Sequence, residues 1–166
     1  MDSSLESLWK TYDTINEWIR LADTKAAVVL AAQAVIIGLV LGAVPDGPAT
    51  TVLQAQLGWA LPGAIFTGLV AALFALWCIN PILKVGEPRS VVFFAHVAKG
   101  YSKPECYAKD ALEMWTDSDK AAAEVSCQVW ANSKVAWRKY WRVTVAIIAF
   151  AVNLIFSVLA LWFSVS

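Results

Sequence analysis

Three stretches of this chain contain no charged residue: residues 26–44, 57–79 and 143–165. At a helical rise of about 1.5 Å per residue, roughly 20 residues cross a bilayer core of about 30 Å. Hydrophobic residues fill 59% of the 166 positions, more than the roughly 45–50% usual in soluble domains. A helix in a soluble core rarely runs this far without a charge. The composition therefore excludes a soluble globular protein and predicts three transmembrane helices.

Basic residues are absent from the link 45–56 between the first two apolar stretches and from the end of the chain after residue 165. All 13 Lys and Arg residues lie in segments 1–25 and 80–142. Because basic segments stay on the cytoplasmic side of a membrane, this distribution places the N-terminus inside and the C-terminus outside. We expect an all-α integral membrane protein with a cytoplasmic amphipathic helix (1–25), transmembrane helices 26–44, 57–79 and 143–165, an outer loop (45–56) and a small cytoplasmic helical bundle (80–142).

Metal-binding and catalytic signatures are also missing. Cys78, Cys106 and Cys127 form no close-spaced pair, which argues against a disulfide framework or a zinc knuckle, so we expect buried, inert thiols. His96 is the single histidine, so a multi-histidine metal site is excluded. No nucleophile motif or Gly-rich phosphate loop is present, and we expect neither an enzyme nor a bound cofactor. The net charge of zero implies no nucleic acid polymer as partner.

Apolar residues near the N-terminus recur at alternating spacings of three and four, the pattern of a helix packed along one seam. They are Leu5, Leu8, Tyr12, Ile15, Ile19 and Ala22. No helix breaker separates this segment from the first apolar stretch, so we predict one continuous helix of roughly 40 residues. A second continuous helix is predicted from near Ser118 into the third stretch. Between them, Ser90–Ala98 is a possible short helix, and Ser102 with Glu105 predicts a capping box that opens a helix to about Trp115.

Small residues recur every fourth position in two of the apolar stretches and let helix backbones approach closely. They are Ala34, Gly38 and Gly42 in the first stretch and Ala64, Gly68 and Ala72 in the second. Both packing within one protomer and self-association explain this pattern. Gln33 and Asn153 are amides near the middle of the first and third stretches, where facing lipid is costly. They either form an interhelical hydrogen bond or line a lumen in an assembly.

Two polar helix faces are predicted close to the cytoplasmic membrane boundary. At about 100° per residue, one face carries Asn16, Arg20 and Asp23, with Lys25 nearly opposite. The other carries Gln128, Asn132 and Lys139, together with Val125 and Ala136, while the aromatic residues Trp130, Trp137 and Trp141 and the cation Lys134 occupy the opposite side. These faces form either a structural network or a ligand site. An anionic ligand would use Arg20 and Lys139, with the amides contacting a base edge.

Three segments together resemble the transmembrane effectors of Pycsar, a bacterial antiphage defence system. They are NEWIRLADTKA (Asn16–Ala26), SVVFFAHVA (Ser90–Ala98) and QVWANSKVAWRKY (Gln128–Tyr140). Their order and their offsets from the apolar stretches are those of that family, and the resemblance covers nearly the whole chain.

The resemblance implies an effector in the bacterial inner membrane, with the loop 45–56 and the C-terminus in the periplasm. Such an effector is switched on by cyclic UMP or cyclic CMP from a companion cyclase, and it damages the membrane and stops growth before phage matures. A homo-oligomer is expected. The positions that the resemblance nominates for the ligand are Asn16, Arg20, Asp23, Lys25, His96, Gln128, Asn132, Ser133 and Lys139.

A different class of protein fits the residues as well. The apolar seam from Leu5 to Ala22 suits a constitutive membrane scaffold, or a channel subunit, whose cytoplasmic bundle binds another polypeptide. Selective stabilisation by a cyclic pyrimidine nucleotide distinguishes the effector from the scaffold, because only the effector has a site for that ligand.

Overall fold

The computed structural model describes residues 3–42, 59–81 and 90–165, and within these ranges every regular element is a helix. The helices are α1 (Ser3–Gly42), α2 (Ala60–Ile79), α3 (Phe94–Gly100), α4 (Pro104–Thr116) and α5 (Ser118–Val165). Helices α1, α2 and α5 are long and apolar enough to cross a membrane. The predicted all-α fold class with three membrane-spanning helices is confirmed. The predicted outer loop 45–56 lies outside the described residues.

The two long helices are continuous, as the absence of breakers predicted. Helix α1 runs for 40 residues and α5 for 48 residues, each joining a polar segment to an apolar one without interruption. The chain divides into two compact units. Unit 1 comprises Met1–Arg20 and Pro81–Arg138, and unit 2 comprises Leu21–Asn80 and Lys139–Ser166.

Unit 1 packs along the predicted apolar seam of α1. Leu5, Leu8, Tyr12, Ile15 and Ile19 are each half-buried, while most of the positions between them are exposed. A tryptophan pair joins α1 to α4: the ring centroids of Trp9 and Trp115 lie 5.8 Å apart. The predicted seam is therefore the packed face of this helix.

The short helices of unit 1 begin later than predicted. The interpretation of Ser90–Ala98 as a helix was wrong at its start, because Ser90 forms a turn in which its Oγ accepts from the backbone N–H groups of Val92 and Phe93, at 3.0 and 3.1 Å. Helix α3 begins only at Phe94. The turn satisfies backbone donors outside the helix and so delays it.

The capping box predicted at Ser102 and Glu105 was also wrong. Helix α4 has Lys103 as its N-cap residue, without a side-chain capping bond, and Pro104 occupies its first turn. Proline fits there because its fixed φ suits the helix start and the missing N–H has no intrahelical partner to lose. Asp117 caps α5 instead, with Oδ1 accepting from the backbone of Asp119 and Lys120 at 3.1 and 3.2 Å.

Unit 2 has a core built mainly from small residues, as close packing of membrane helices requires. The buried set is Ala22, Ala26, Val29, Ala75, Cys78, Val143 and Ala146. Large apolar side chains such as Leu73 and Ile155 point outward and are more than half exposed. A surface of this kind suits lipid rather than water.

The prediction that all three cysteines are buried was wrong for two of them. Cys78 is fully buried, but Cys106 and Cys127 are exposed. The Cys78 thiol lies 3.4 Å from the backbone oxygen of Lys139 and 3.8 Å from that of Ala22. Helical packing places Cys78 against both long helices of unit 2. Cys106 and Cys127 lie on solvent-facing positions of α4 and α5.

Candidate functional site

An amide pair joins the two long helices within unit 1. Asn132 of α5 donates from Nδ2 to Oδ1 of Asn16 on α1, at 2.9 Å. Gln128 lies one turn earlier on α5 and is only 7% exposed. Since helix positions four residues apart share a face, Gln128 and Asn132 present two amides side by side. Each amide carries both donors and an acceptor, which is the chemistry that contacts a nucleobase edge.

Glu124, which the sequence did not nominate, lies one further turn back on the same face of α5. Its Oε1 is buried and has no hydrogen-bond partner among the described residues. A buried carboxylate oxygen without a donor is costly, so Glu124 is added to the candidate residues beside the two amides. The spacing of four from Glu124 to Gln128 to Asn132 was the signal that could have found it.

Arg20 places a cation on α1, one turn after Asn16. Its guanidinium forms an ion pair with Glu17 at 2.8 Å, and the two side chains are 75% and 56% exposed. An ion pair so open to water holds its partners weakly. The planar guanidinium suits a phosphate, to which it donates two parallel hydrogen bonds.

Two of the nominated residues of unit 1 are engaged elsewhere. The Nδ1 atom of His96 accepts from the backbone N–H of Ser90 at 3.1 Å, and its ring packs edge-to-face on Phe93 with centroids 5.0 Å apart. Ser133 is exposed and donates to the backbone oxygen of Val129 within its own helix, at 2.7 Å. His96 therefore fixes the turn before α3, and neither residue bonds to the amide pair.

Unit 2 contains the other three nominated residues. Lys139 of α5 and Asp23 of α1 form an ion pair with Nζ and Oδ1 2.5 Å apart, and their side chains are 5% and 35% exposed. Lys25 is exposed, and its Nζ lies 5.4 Å from the centroid of the Tyr140 ring. Lys139 is thus neutralised by a neighbouring carboxylate and enclosed, so it joins two helices within the unit.

The two intramembrane amides meet in unit 2. Gln33 donates from Nε2 to Oδ1 of Asn153 at 3.3 Å, and Asn153 donates from Nδ2 to the backbone oxygen of Ala64 at 2.5 Å. Gly68 allows this meeting, because a Cβ at its position would stand 2.5 Å from the Gln33 Nε2. These bonds connect all three helices of the unit.

The two stripes of small residues differ in their surroundings. Ala64 and Gly68 are buried within the protomer. Ala34, Gly38 and Gly42 are exposed, and no atom of the described residues lies within 4 Å of the point where a Cβ would stand at either glycine. The first stripe is therefore open on the surface of the protomer.

A metal centre finds no support in the part of the chain that the structure describes, because no group of three or more His, Cys, Asp or Glu residues lies close enough to hold an ion.

Comparison with known proteins identifies a family. The profile of the family described as the Pycsar effector protein domain, PycTM, matches residues 7–164, which is nearly the whole chain. No curated protein and no solved structure matches the chain significantly.

Proposed function

The chain belongs to the PycTM family of Pycsar effectors, and from that membership and the geometry of unit 1 we propose how this antiphage defence protein works. It binds a cyclic pyrimidine mononucleotide, cyclic UMP or cyclic CMP, made by a companion cyclase. It has no catalytic activity of its own and disrupts the bacterial inner membrane as a homo-oligomer, which aborts infection. The family match over residues 7–164 carries the proposal.

The ligand site of this proposal lies in unit 1, on Asn16, Arg20, Glu124, Gln128 and Asn132. A cyclic nucleotide carries one negative charge on its phosphate, and the exposed guanidinium of Arg20 supplies the opposite charge. The amides on α1 and α5 contact the base edge. The Oε1 of Glu124, which has no partner among the described residues, accepts from a base N–H, a donor that both cytosine and uracil possess.

Continuity of the two long helices supports the second step. Residues of the proposed site lie on α1 and α5, and each of these helices continues without a break into a membrane-length apolar stretch. A ligand that binds one arrangement of the helices more tightly shifts the population toward it. A helix without a break transmits such a shift along its axis, so binding in unit 1 alters the packing of the spans.

The open stripe Ala34, Gly38 and Gly42 supports the third step. Small residues let helices of neighbouring protomers approach closely. The three residues of this stripe are exposed, and a Cβ added at either glycine would meet no described residue of another helix within 4 Å. In the proposed assembly it forms the contact between protomers. The distribution of basic residues supports a cytoplasmic position for unit 1, the compartment of the proposed cyclase.

A thermal-shift titration of the purified protein in detergent tests ligand binding. Cyclic UMP or cyclic CMP is expected to raise the melting temperature in a concentration-dependent way, and cyclic AMP is not. Arg20→Ala removes the response, while Lys10→Ala, which removes an exposed cation from the same helix, retains it. A response that is equal for all three nucleotides, or absent for all, contradicts the proposal.

One observation favours the constitutive scaffold as second candidate. On α5, Trp130 and Trp137 are 60% and 75% exposed, and Nζ of Lys134 lies 3.7 Å from the centroid of the Trp130 ring. Tryptophans are enriched at protein interfaces and among the residues that contribute most to binding there. A protein that is indifferent to every nucleotide but loses a binding partner in Trp137→Ala would fit this second function.

A further inference from the structure

Arg142 lies at the edge of the membrane-spanning part of unit 2. It is the residue directly before the uncharged stretch 143–165 of α5. Its Nη1 donates to the backbone oxygen of Trp77 at 3.0 Å, and Trp77 lies two residues before the end of the uncharged stretch 57–79. Both residues belong to unit 2. The contact therefore joins α5 to α2 at the level where both helices leave the apolar part of the chain.

The sequence explains why Trp77 accepts this bond. Within a helix its backbone oxygen would accept from the N–H four residues later, but that residue is Pro81, which has no backbone N–H. A carbonyl left without a partner at a helix end needs another donor, and Arg142 supplies it. The guanidinium also lies over the indole ring of Trp77, with its Cζ 4.3 Å from the ring centroid. These two contacts fix the guanidinium at the end of α2.

The guanidinium of Arg142 has donors that the protomer does not use. A guanidinium carries several N–H groups in a rigid planar fork, and the described residues form only the one hydrogen bond to Trp77 with it. Among those residues every ion pair uses another cation. Arg142 is therefore an oriented cation without a carboxylate partner in the described part of the chain, and its planar fork suits a phosphate.

Aromatic rings adjoin this cation. The ring centroid of Phe74 lies 5.7 Å from that of Trp77 and 5.8 Å from that of Trp141. The two tryptophans are 50% and 53% exposed. Tryptophan rings favour the boundary between lipid and water, because the ring is apolar and its N–H is polar. The rings therefore place Arg142 at the depth of the lipid headgroups, where the available phosphate is that of a phospholipid.

We propose that Arg142, flanked by Trp77 and Trp141, binds the phosphate of an anionic phospholipid in the leaflet next to the basic segments of the chain. The cation complements the net negative charge of such a lipid, whereas the ammonium group of a zwitterionic lipid competes for its own phosphate. Leu73, one turn before Trp77 on α2, is 63% exposed and offers an apolar contact to the acyl chain. A soluble phosphate would lack that contact.

This inference depends on the helices lying in a bilayer and does not depend on the nucleotide. All residues of the lipid site belong to unit 2, whereas the proposed nucleotide site lies in unit 1. A failure of nucleotide binding would therefore leave the lipid site standing.

Native mass spectrometry of the purified protein in detergent tests the lipid site by counting bound lipids during a titration. We expect phosphatidylglycerol to bind at least about tenfold more tightly than diacylglycerol with the same acyl chains, because only the first carries a phosphate. Phosphatidylethanolamine should bind less tightly than phosphatidylglycerol. Glycerophosphoglycerol, the same headgroup without acyl chains, should bind far more weakly. Equal affinity for phosphatidylglycerol and diacylglycerol, or for the headgroup alone, overturns the proposal.

Arg142→Gln is expected to weaken phosphatidylglycerol binding by at least about tenfold, since it removes the charge and the fork. Arg138→Gln is the matched control, because Arg138 is an exposed arginine one turn earlier on the same helix, so that both variants lower the net charge equally. The control should bind the lipid as the unmodified protein does. An equal loss in both variants would indicate general attraction to basic residues and overturns the proposal.

The unmodified protein provides a second test that does not depend on the folding of any variant. In liposomes containing phosphatidylglycerol, solid-state NMR measures the dipolar coupling between the lipid phosphorus and the guanidinium nitrogens. We expect a coupling at Arg142 that is stronger than the coupling at Arg138, because only Arg142 is held at the headgroup depth. No coupling at Arg142, or equal coupling at both arginines, overturns the proposal.

Discussion

Two features occur twice in this chain, once packed inside the protomer and once open at its surface. The ion pair Lys139–Asp23 is enclosed and joins two helices, whereas the pair Arg20–Glu17 is exposed and lies within one helix. Likewise, Gly68 is packed against Gln33, whereas Gly38 meets nothing within 4 Å among the described residues. Residue type alone therefore does not assign a role. The packed member of each set stabilises the protomer, and the open one is the member that the proposed function assigns to a ligand or a second protomer.

Removing a partner from the packed ion pair has the largest expected effect. Asp23→Ala leaves the buried ammonium of Lys139 uncompensated and should lower the free energy of unfolding by about 3 kcal/mol, the low end of the range for buried pairs because Asp23 is 35% exposed. Denaturant unfolding in detergent micelles measures it. The double variant Asp23→Lys with Lys139→Asp restores opposite charges and should recover part of the loss. Asp13→Ala, which removes an exposed carboxylate from the same helix, is the control. If the two variants are equally stable, the enclosed pair contributes no more than an exposed charge.

Reversing the charge of the open pair should change binding rather than stability. Arg20→Glu is expected to weaken cyclic pyrimidine nucleotide binding by at least about tenfold, the value of one charge-assisted hydrogen bond, because it puts a negative charge beside the phosphate. The melting temperature without ligand should stay close to that of the unmodified protein, since the side chain is 75% exposed. Calorimetric titration gives the affinity. A loss of stability with unchanged affinity would show that Arg20 is structural.

The two glycines extend the comparison to the spans. Gly68→Ala places a Cβ 2.5 Å from the Gln33 Nε2 and 3.0 Å from the Asn153 Nδ2, and displacing these bonded amides should cost about 1 kcal/mol net of the better helix propensity of alanine. The Cβ of Gly38→Ala would meet no described residue of another helix within 4 Å, so the stability of the monomer should be unchanged or slightly higher. Unfolding measurements on both variants at low protein-to-lipid ratio compare them. Equal losses of unfolding free energy in the two variants would mean that both stripes of small residues are packed within the protomer.

The smallest effect is expected at the acidic partner of the open pair. Glu17→Ala should change the free energy of unfolding by no more than about 0.5 kcal/mol, because an exposed pair at spacing three contributes little. Melting at two salt concentrations checks this, since screening should leave the variant nearly unaffected. If Glu17→Ala lowered the free energy of unfolding as much as Asp23→Ala, the exposed and the enclosed ion pair would contribute equally to stability.

Much of the fold was predictable from residue patterns, and the reasons are physical. The spans follow from the length of uncharged stretches, and the packed face of α1 follows from apolar residues at alternating spacings of three and four. On α5, the predicted polar face with Gln128 is packed, and the face with Trp137 is exposed. A helical period determines such faces independently of what they pack against.

These patterns could not identify which residues of different helices contact each other. Asp23 and Lys139 are 116 positions apart, as are Asn16 and Asn132, so no local spacing connects them. The sequence nominated both Arg20 and Lys139 as cations for an anionic ligand. Only the structure distinguishes them, because Lys139 forms an enclosed ion pair with Asp23, and Arg20 does not. The starts of α3 and α4 shifted because Ser90 and Pro104 act through local backbone bonding that competes with a simple capping pattern.

Dye release from liposomes of bacterial inner-membrane lipids tests whether a cyclic pyrimidine nucleotide makes the protein disrupt a membrane. Liposomes that contain either the unmodified protein or the Arg20→Glu variant are exposed to cyclic UMP, cyclic CMP or cyclic AMP, and to no nucleotide. We predict dye release that begins on addition of a cyclic pyrimidine nucleotide and is absent with cyclic AMP and in the variant. Release that is the same with and without the pyrimidine nucleotides, or no release in any condition, would contradict it.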